Sequence, residues 1–331
     1  MSKGQVQVSE NWKGCFLFPL LIGDARDLKV RMSNETKKRR EVRNLNEDNI
    51  TQAVLAKHAN AENARLRQVM TSLVQHLHAF ARDVRLTEEE WLAAINFLTA
   101  VGHITDDKRQ EFILLSDTLG LSMLVTAMNN RKSNGCTEAT VFGPFHIEDS
   151  ARYELGADLS NGAEGEPAYI SGRVLSLNGQ PIPHATLEVW QADAAGKYDV
   201  QYGEEAEHRA RGTLEADGDG CYRFWSVRAE AYPIPHDGPV GEMLERLGRH
   251  PWRPAHLHFR ISAPGYKTLV THVFRSGDTY LDSDAVFGVR SSLIADWIEH
   301  PAGETPDGGR RDVPFYTLEF DFVLDASTET S

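Results

Sequence analysis

Between Asn49 and Asn129 apolar side chains return every three or four positions, the period of helices that bury one face. The first such run is "ITQAVLAKHANAENARLRQVMTSLVQHLHAFARDV". In the second, "LTEEEWLAAINFLTAVG", Thr87 is followed three residues later by Glu90, a capping-box pair that sets a helix start just after Thr87. The third is "DKRQEFILLSDTLGLSMLVTAM". No proline interrupts any of them.

Past "SNGCTEATVFGPFH" the period shortens to two. From about Glu166 onward "AYISGRVLSL", "ATLEVWQAD", "GCYRFWSV", "AHLHFRISA", "TLVTHVF" and "FYTLEFDFVL" alternate between stretches rich in Gly, Pro, Asn and Asp. Closely spaced strands without intervening helices predict an antiparallel sandwich, not βαβ units. The expected fold class is therefore α+β: an N-terminal extension over 1–31, a helical domain over 32–135 and an antiparallel β-sandwich domain over 136–331. No internal repeat or sustained heptad pattern is visible.

Charge narrows the partners. The 331 residues carry 35 Lys and Arg against 48 Asp and Glu, a formal charge of −13, which gives no general attraction for nucleic acid or anionic membranes. Small molecules and other protein chains remain. Cys15, Cys136 and Cys221 are odd in number, widely spaced and form no C-x-x-C pair, so a reduced compartment, the cytoplasm, is expected. "CFLFPLLIG" (15–23) has the length of a signal-peptide core, but Pro19 interrupts it and no small-x-small cleavage site follows. It is also shorter than the roughly 20 residues that span a bilayer. Met32 would serve as a start, and "KKRR" reads as a solvated patch.

Candidate chemistry begins with a repeated tripeptide. His-Leu-His occurs at 76–78 and again at 256–258. On a helix, side chains two apart point about 200° away from each other, whereas on a strand they share a face. His76 and His78 are thus expected to be helix-surface residues. His256, His258 and Arg260 would share one strand face and Leu257, Phe259 and Ile261 the other, so the second pair could chelate a metal or simply face water. His272 offers a third imidazole, as in a three-His zinc hydrolase. No carboxylate stands at the spacing of an iron(II) facial triad. Tyr198 and Tyr232 lie in loops at strand ends, where sites gather, though a loop tyrosine is more often a packing residue. "EADGDG" (215–220) looks faintly like a calcium loop, but Glu replaces the first Asp and Ser226 stands where the bidentate Glu belongs, so a hairpin turn is the better account.

Taken together, "VWQADAAGKYD", "YRFWSVRAEAYPIPHDGPVG" and "HPWRPAHLHFRISAPGY" resemble the intradiol ring-cleaving dioxygenases, the catechol 1,2-dioxygenase group and most of all its hydroxyquinol branch. The similarity runs from about residue 40 to 325. It implies one non-haem iron(III) per subunit, held by Tyr198, Tyr232, His256 and His258. Phenolates are hard anionic donors that suit iron(III) and balance its charge. It also implies that an aromatic 1,2-diol binds the iron, that the Tyr232 phenolate leaves as a general base, and that both atoms of O2 enter a muconate-type diacid without nicotinamide or flavin. Arg253 matches the active-site arginine of the family, an electrostatic role for which a structural ion pair is the alternative. His272 stands where catechol enzymes usually carry Gln and is expected behind the iron ligands.

By the same resemblance the substrate pocket is lined by Leu114, Asp117, Val141, Phe142, Gly143, Pro144, Phe145, Ile234, Pro235 and Val286. An acidic Asp117 could accept a hydrogen bond from a third ring hydroxyl, so benzene-1,2,4-triol (hydroxyquinol) is the expected substrate, with catechol or substituted catechols as the alternative. A homodimer through the N-terminal helices, with lipid between them, is implied as well. A non-catalytic sandwich binding module is the remaining contrast.

Overall fold

The computed structural model describes residues 43–106, 109–202 and 208–327. The extension over 1–31, with its apolar run, and Met32 and "KKRR" lie outside them. Among the described residues five helices come first: α1 (Ile50–His58), α2 (Ala64–Asp83), α3 (Glu88–Ile104), α4 (Glu111–Thr118) and α5 (Leu121–Asn129). The first apolar run is thus two helices, because Asn63 caps α2 by accepting the Leu66 N–H at 2.8 Å. At the start of α3 the Glu90 carboxylate accepts the Thr87 N–H at 2.9 Å and the Thr87 hydroxyl accepts the Glu90 N–H at 3.2 Å, the expected capping box. The third run bends by 78° between α4 and α5. Gly120 makes that corner in the left-handed region (φ +74°), where a residue without a Cβ is unstrained.

No single described helix is long and apolar enough to cross a membrane. The chain forms two compact units that meet between Leu98 and Thr99, inside α3. The first contains α1 and α2, joined by Arg82 Nη2, which donates to Glu47 O at 2.7 Å and Thr51 Oγ1 at 2.6 Å. The second contains α4, α5 and every strand. The change from helix to strand expected near 135/136 and the division between compact units are therefore different boundaries.

The described strands are β1 (Pro167–Ser176), β2 (Thr186–Trp190), β3 (Arg211–Glu215), β4 (Cys221–Val227), β5 (Tyr232–Pro233), β6 (Trp252–Arg253), β7 (His256–Ser262) and β8 (Leu269–Arg275). After them come β9 (Ile294–Ala295), β10 (Ile298–His300), β11 (Gly303–Glu304), β12 (Arg310–Arg311), β13 (Phe315–Glu319) and β14 (Phe322–Leu324). A short helix, α6 (Pro239–Arg246), sits between β5 and β6. One main sheet runs β10-β13-β1-β14 with β4 also on β1, and the other runs β3-β2-β7-β8-β9.

The sheets are mixed, which corrects the purely antiparallel expectation. β1 pairs in parallel with β13 and β14, and β8 with β9. Hairpin logic applies only to strands joined by tight turns. β1 and β13 are separated by more than a hundred residues, so no turn dictates their direction. Nor is 215–220 a hairpin: β3 lies in one main sheet and β4 in the other, and the turn carries the chain across the sandwich. Asp217 shapes it by accepting the Asp219 and Cys221 N–H groups at 3.0 and 2.9 Å.

The core lies where the inner faces meet. Ile170, Val174, Tyr222, Phe224, Leu318 and Phe322 from one sheet pack with Leu187, Val189, Leu257, Phe259, Ile261 and Val273 from the other. Phe259 is fully buried, with ring centroids 4.7 Å from Phe322, 6.2 Å from Tyr222 and 6.5 Å from Phe224. Phe259→Ala is expected to cost about 3–5 kcal/mol, read by urea unfolding. A cost below about 1 kcal/mol would contradict that packing.

Candidate active site

β7 presents its two faces to different surroundings. Leu257, Phe259 and Ile261 enter the sandwich core, which turns His256 and His258 to the outer face of the sheet. In register, His258 lies between Trp190 on β2 and His272 on β8. The Trp190 ring stacks on His258 at 4.7 Å, and His272 meets it edge-on at 4.1 Å. All three side chains are nine-tenths buried or more, so loops cover this face of the sheet.

Those loops bring the tyrosines. Tyr198 precedes the 3-10 turn Asp199–Gln201, and its N–H donates to Gln201 Oε1 at 2.8 Å. Tyr232 lies on β5, opposite Arg253 on β6. Gly196 lets the two segments close up, for a Cβ there would stand 2.8 Å from that of Tyr232, and its φ of +73° favours glycine. Gly143 does the same over His258, where a Cβ would lie 3.1 Å from Cε1.

Four donor atoms then follow one another at short range. Tyr232 Oη is 3.2 Å from Tyr198 Oη, which is 3.0 Å from His258 Nε2, which is 3.2 Å from His256 Nε2. The proton inventory shows how this cluster is poised. Pro254 O can only accept, so the 2.6 Å contact puts the His256 proton on Nδ1 and leaves a lone pair at Nε2. Behind His258, Nδ1 faces His272 Nε2 at 2.8 Å, and His272 Nδ1 faces Thr140 Oγ1 at 3.0 Å. With both protons on Nδ1, that relay is satisfied and His258 Nε2 also presents a lone pair inward. Arg253 Nη1 at 3.2 Å and the Tyr198 hydroxyl at 3.0 Å can donate to these two lone pairs, and separations of this size equally suit donors sharing one ion at about 2 Å. The residues fit a metal with two imidazole and two phenolate ligands. His256, His258 and His272 do form a buried trio with ligand atoms within 4.8 Å. His272, however, spends Nε2 on His258 and so stands behind the donor set.

Burial dominates the electrostatics. It pushes the His256 imidazole down to about 3, helped by the nearby Arg253 charge, and holds His258 and His272 well below the usual range. Burial, with Tyr232 beside it, raises the Tyr198 phenol well above 10, so a cation is required to make it a phenolate. Arg253 donates through Nε and Nη2 to Asp284 at 3.0 and 3.3 Å, while its Nη1 lies 3.2 Å from His256 Nε2. Burial alone would raise Asp284, but the Arg253 charge and the Gly288 N–H hold it low. The guanidinium is thus both ion-paired and exposed to the cavity it lines.

That cavity has a volume of about 470 Å³. Leu114, Asp117, Val141, Gly143, Pro144, Phe145, Ile234, Pro235 and Val286 line it together with Tyr232 and Arg253. Phe142 does not, a correction to the expected lining: in this extended segment Val141 turns in, and Phe142 turns out against His146 and Trp190. Burial raises the Asp117 carboxyl, against a hydrogen bond from Ser122 and the Arg253 charge. Sequence reasoning missed Arg109, Glu111, Lys197 and Asp237 in the lining, and Asp284 and Thr140 behind it. Glu111 Oε1 accepts the Val240 N–H at 3.1 Å and Oε2 the Arg109 Nε–H at 3.0 Å, while Arg109 reaches Asp237 at 2.9 Å, tying α4 to the loop that carries Ile234 and Pro235. No local spacing in the sequence marks such partners. The first His pair is elsewhere: His76 is exposed on α2 and His78 Nδ1 meets Thr51 Oγ1 at 2.9 Å.

Comparison with known proteins agrees with this architecture. Residues 141–326 match the family model described as Dioxygenase, and residues 63–137 the one described as Catechol dioxygenase N terminus. The chain belongs to the intradiol ring-cleaving dioxygenases and is an enzyme of that class. Within the family it is most like the hydroxyquinol 1,2-dioxygenases. The 6-chlorohydroxyquinol 1,2-dioxygenase of Cupriavidus pinatubonensis is 60% identical over 83% of this chain and 96% of its own length. The hydroxyquinol 1,2-dioxygenase of Corynebacterium glutamicum is 54% identical over 84% and 93%. The crystal structure of hydroxyquinol 1,2-dioxygenase from Pseudomonas putida superposes with a TM-score of 0.80 at 48% identity, covering 85% of this chain and 99% of that one.

Two outcomes follow from this geometry. The unfolded chain protonates its histidines near 6.5, whereas His256 folded without metal does so near 3. Between those values the unfolded state binds more protons, so metal-free stability falls with acidification, by about 1.4 kcal/mol per pH unit for each such histidine. Urea midpoints of the metal-free protein from pH 7 to about 5.5 read this, and a flat profile there would contradict the buried neutral imidazoles. That window lies above the range in which lowered carboxylates such as Glu188, Glu230 and Asp284 add a fall of the same sign. The His76→Ala, His78→Ala double variant should keep full dioxygenase activity. Its inactivity with a normal fold would show that the helical pair serves the chemistry.

Proposed function

We propose that this chain is an iron(III) enzyme that opens hydroxyquinol between its adjacent hydroxyls, giving 3-hydroxy-cis,cis-muconate, the enol of maleylacetate. The observation that carries the reading is the quartet Tyr198, Tyr232, His256 and His258, each donor within 3.2 Å of the next, beside a cavity of single-ring size. Iron(III) held there would act as the Lewis acid that draws electron density from the bound diolate and renders the ring reactive toward O2.

The protein supplies the rest. Tyr232 lines the cavity, so its Oη is the group placed to take a proton from a substrate hydroxyl. Tyr198 is fully buried and would hold the iron without giving way to substrate. Arg253, fixed by Asp284, holds positive charge against the ring as negative charge develops on it. His272 and Thr140 orient His258 from behind. Leu114, Val141, Ile234, Pro235 and Val286 exclude water from the ring faces. Asp117, one α4 turn from Leu114 in the lining, offers a carboxyl that a third hydroxyl could bond, which favours the triol over catechol.

Two partner assignments complete the reading. Val69, Leu73, Leu77, Phe80 and Val84 form an exposed stripe along α2 and its C-cap, and Trp91, Leu92, Ile95 and Leu98 another on α3. Apolar faces of this extent suit pairing with a second copy through the helices, with lipid chains filling the seam. The charge of −13 and the cysteine pattern suit a cytoplasmic enzyme without nucleic-acid or membrane partners.

Natively produced protein should be reddish from tyrosinate-to-iron charge transfer and contain one iron per subunit. A zinc enzyme or a binding module would be colourless. Tyr198→Phe should lose most of the colour, and oxygen uptake should be faster with hydroxyquinol than with catechol. Asp117→Leu should lower the hydroxyquinol-to-catechol ratio of kcat/KM by about 10–100-fold, the scale of a hydrogen bond to a charged group. An unchanged ratio would remove Asp117 from substrate choice, and iron-free active enzyme would remove the reading altogether.

A further inference from the structure

Arg211 is 1% exposed, lies on β3 and belongs to neither the donor set nor the cavity wall. It is nevertheless built around Tyr198. Its Nε donates to Asp199 Oδ2 at 2.7 Å and its Nη2 to Asp199 Oδ1 at 2.6 Å, a two-pronged grip on the residue covalently next to Tyr198. The same Nη2 donates to Phe145 O at 2.7 Å, and the Phe145 ring stacks on the Tyr198 ring at 4.3 Å with 21° between planes. One guanidinium therefore fixes both the backbone after Tyr198 and the ring lying against it. Directly across the ladder Arg211 faces Trp190, whose indole stacks on His258. Its Nη1 is buried without a partner among the protein atoms.

We infer that Arg211 is a positioning residue: with Asp199 and Phe145 it holds Tyr198 in the orientation in which its oxygen binds the metal, and so sets the overlap of that phenolate with the iron. The inference rests on Tyr198 being an iron ligand, as proposed above. Stability gives little reason for a charged pair at this depth, since burying two charges costs desolvation and well-packed apolar residues commonly fold as well. Precision of placement gives a reason, because a planar fork restrains its partner in two directions at once where an apolar contact restrains none. A tyrosine from a loop needs such a restraint more than an imidazole does on a central strand. Groups that orient metal ligands characteristically change metal affinity or activity about 10–100-fold when removed.

The test replaces the pair without leaving a lone buried charge, in the double variant Arg211→Met, Asp199→Leu, with Arg211→Lys beside it to keep the charge but lose the fork. Three properties are read on the iron-loaded proteins: the position and width of the tyrosinate-to-iron band, the loss of iron to a chelator, and kcat separately from KM. The double variant should fold with a cooperative melt, show a displaced or broadened band, lose iron about 10–100-fold more readily and lose kcat with KM little changed, as Tyr198 does not line the cavity. Arg211→Lys should fall between it and the wild type. A folded double variant with the wild-type band and chelator resistance would show the pair to be scaffolding only. If the double variant does not fold, Arg211→Lys decides: a displaced band supports the grip and an unchanged band overturns it. A colourless, iron-free wild type would instead overturn the assignment of Tyr198 as ligand, which no result confined to the variants would do.

Discussion

The two-residue alternation of β7 is the constraint on which the rest depends. Leu257, Phe259 and Ile261 are fully buried between the sheets, so His256 and His258 have no choice of face. A slip of one residue would put both imidazoles into the sandwich core and three large apolar side chains into the site. The hydrophobic energy of the core thereby fixes the direction of the two proposed ligands, whose own interactions are too few to fix it. β8 follows the same rule, which is why His272 reaches the outer face in register with His258.

Placing five polar rings in a dry region is expensive unless every outward atom has a partner. The protein provides them: Pro254 O for His256, His272 and then Thr140 for His258, Asp284 for Arg253. The remaining donor atoms, Tyr198 Oη, Tyr232 Oη, His256 Nε2 and His258 Nε2, are directed to one place, where they contact one another and Arg253 Nη1. Two imidazole nitrogens and two phenols converging on one point form a donor set that suits a cation. The same burial that keeps the imidazoles neutral, and therefore able to bind a metal, keeps the Tyr198 phenol protonated until a cation arrives.

Much of this was legible in the sequence because it depends on local period. The strand character of "AHLHFRISA" separates the His pair that can share one ion from the helical copy, and the Thr87 and Glu90 capping box fixes the start of α3. The tyrosines were legible only through family resemblance, since a loop tyrosine has no periodic signal. Where interactions are non-local, the sequence was silent or misleading. The parallel pairing of β1 with β13 and the crossing of 215–220 between sheets depend on chain segments far apart. Asp284 stands 31 residues from Arg253 and Thr140 stands 132 from His272, with no spacing rule to link them. Phe142 was placed in the cavity by family resemblance, with the rest of "VFGPF", although its side chain turns away against His146 and Trp190.

The two kinds of ligand are held by different physics, and this bears on how the site can work. The imidazoles are on the middle strand of a five-stranded sheet, where ladder bonds on both sides and a packed core leave little freedom. Tyr232 is on a two-residue strand that continues into a Pro-rich loop, anchored at its far end by Glu111, Arg109 and Asp237. Tyr198 has Asp199, Gln201 and Phe145 packed about it and no cavity at its side. Under the proposed function, a ligand that yields its place to substrate would be best carried by the less restrained segment that also faces the cavity. Of the two phenols only Tyr232 meets both conditions, so the difference in their proposed roles follows from how each is held, not from the phenol chemistry they share.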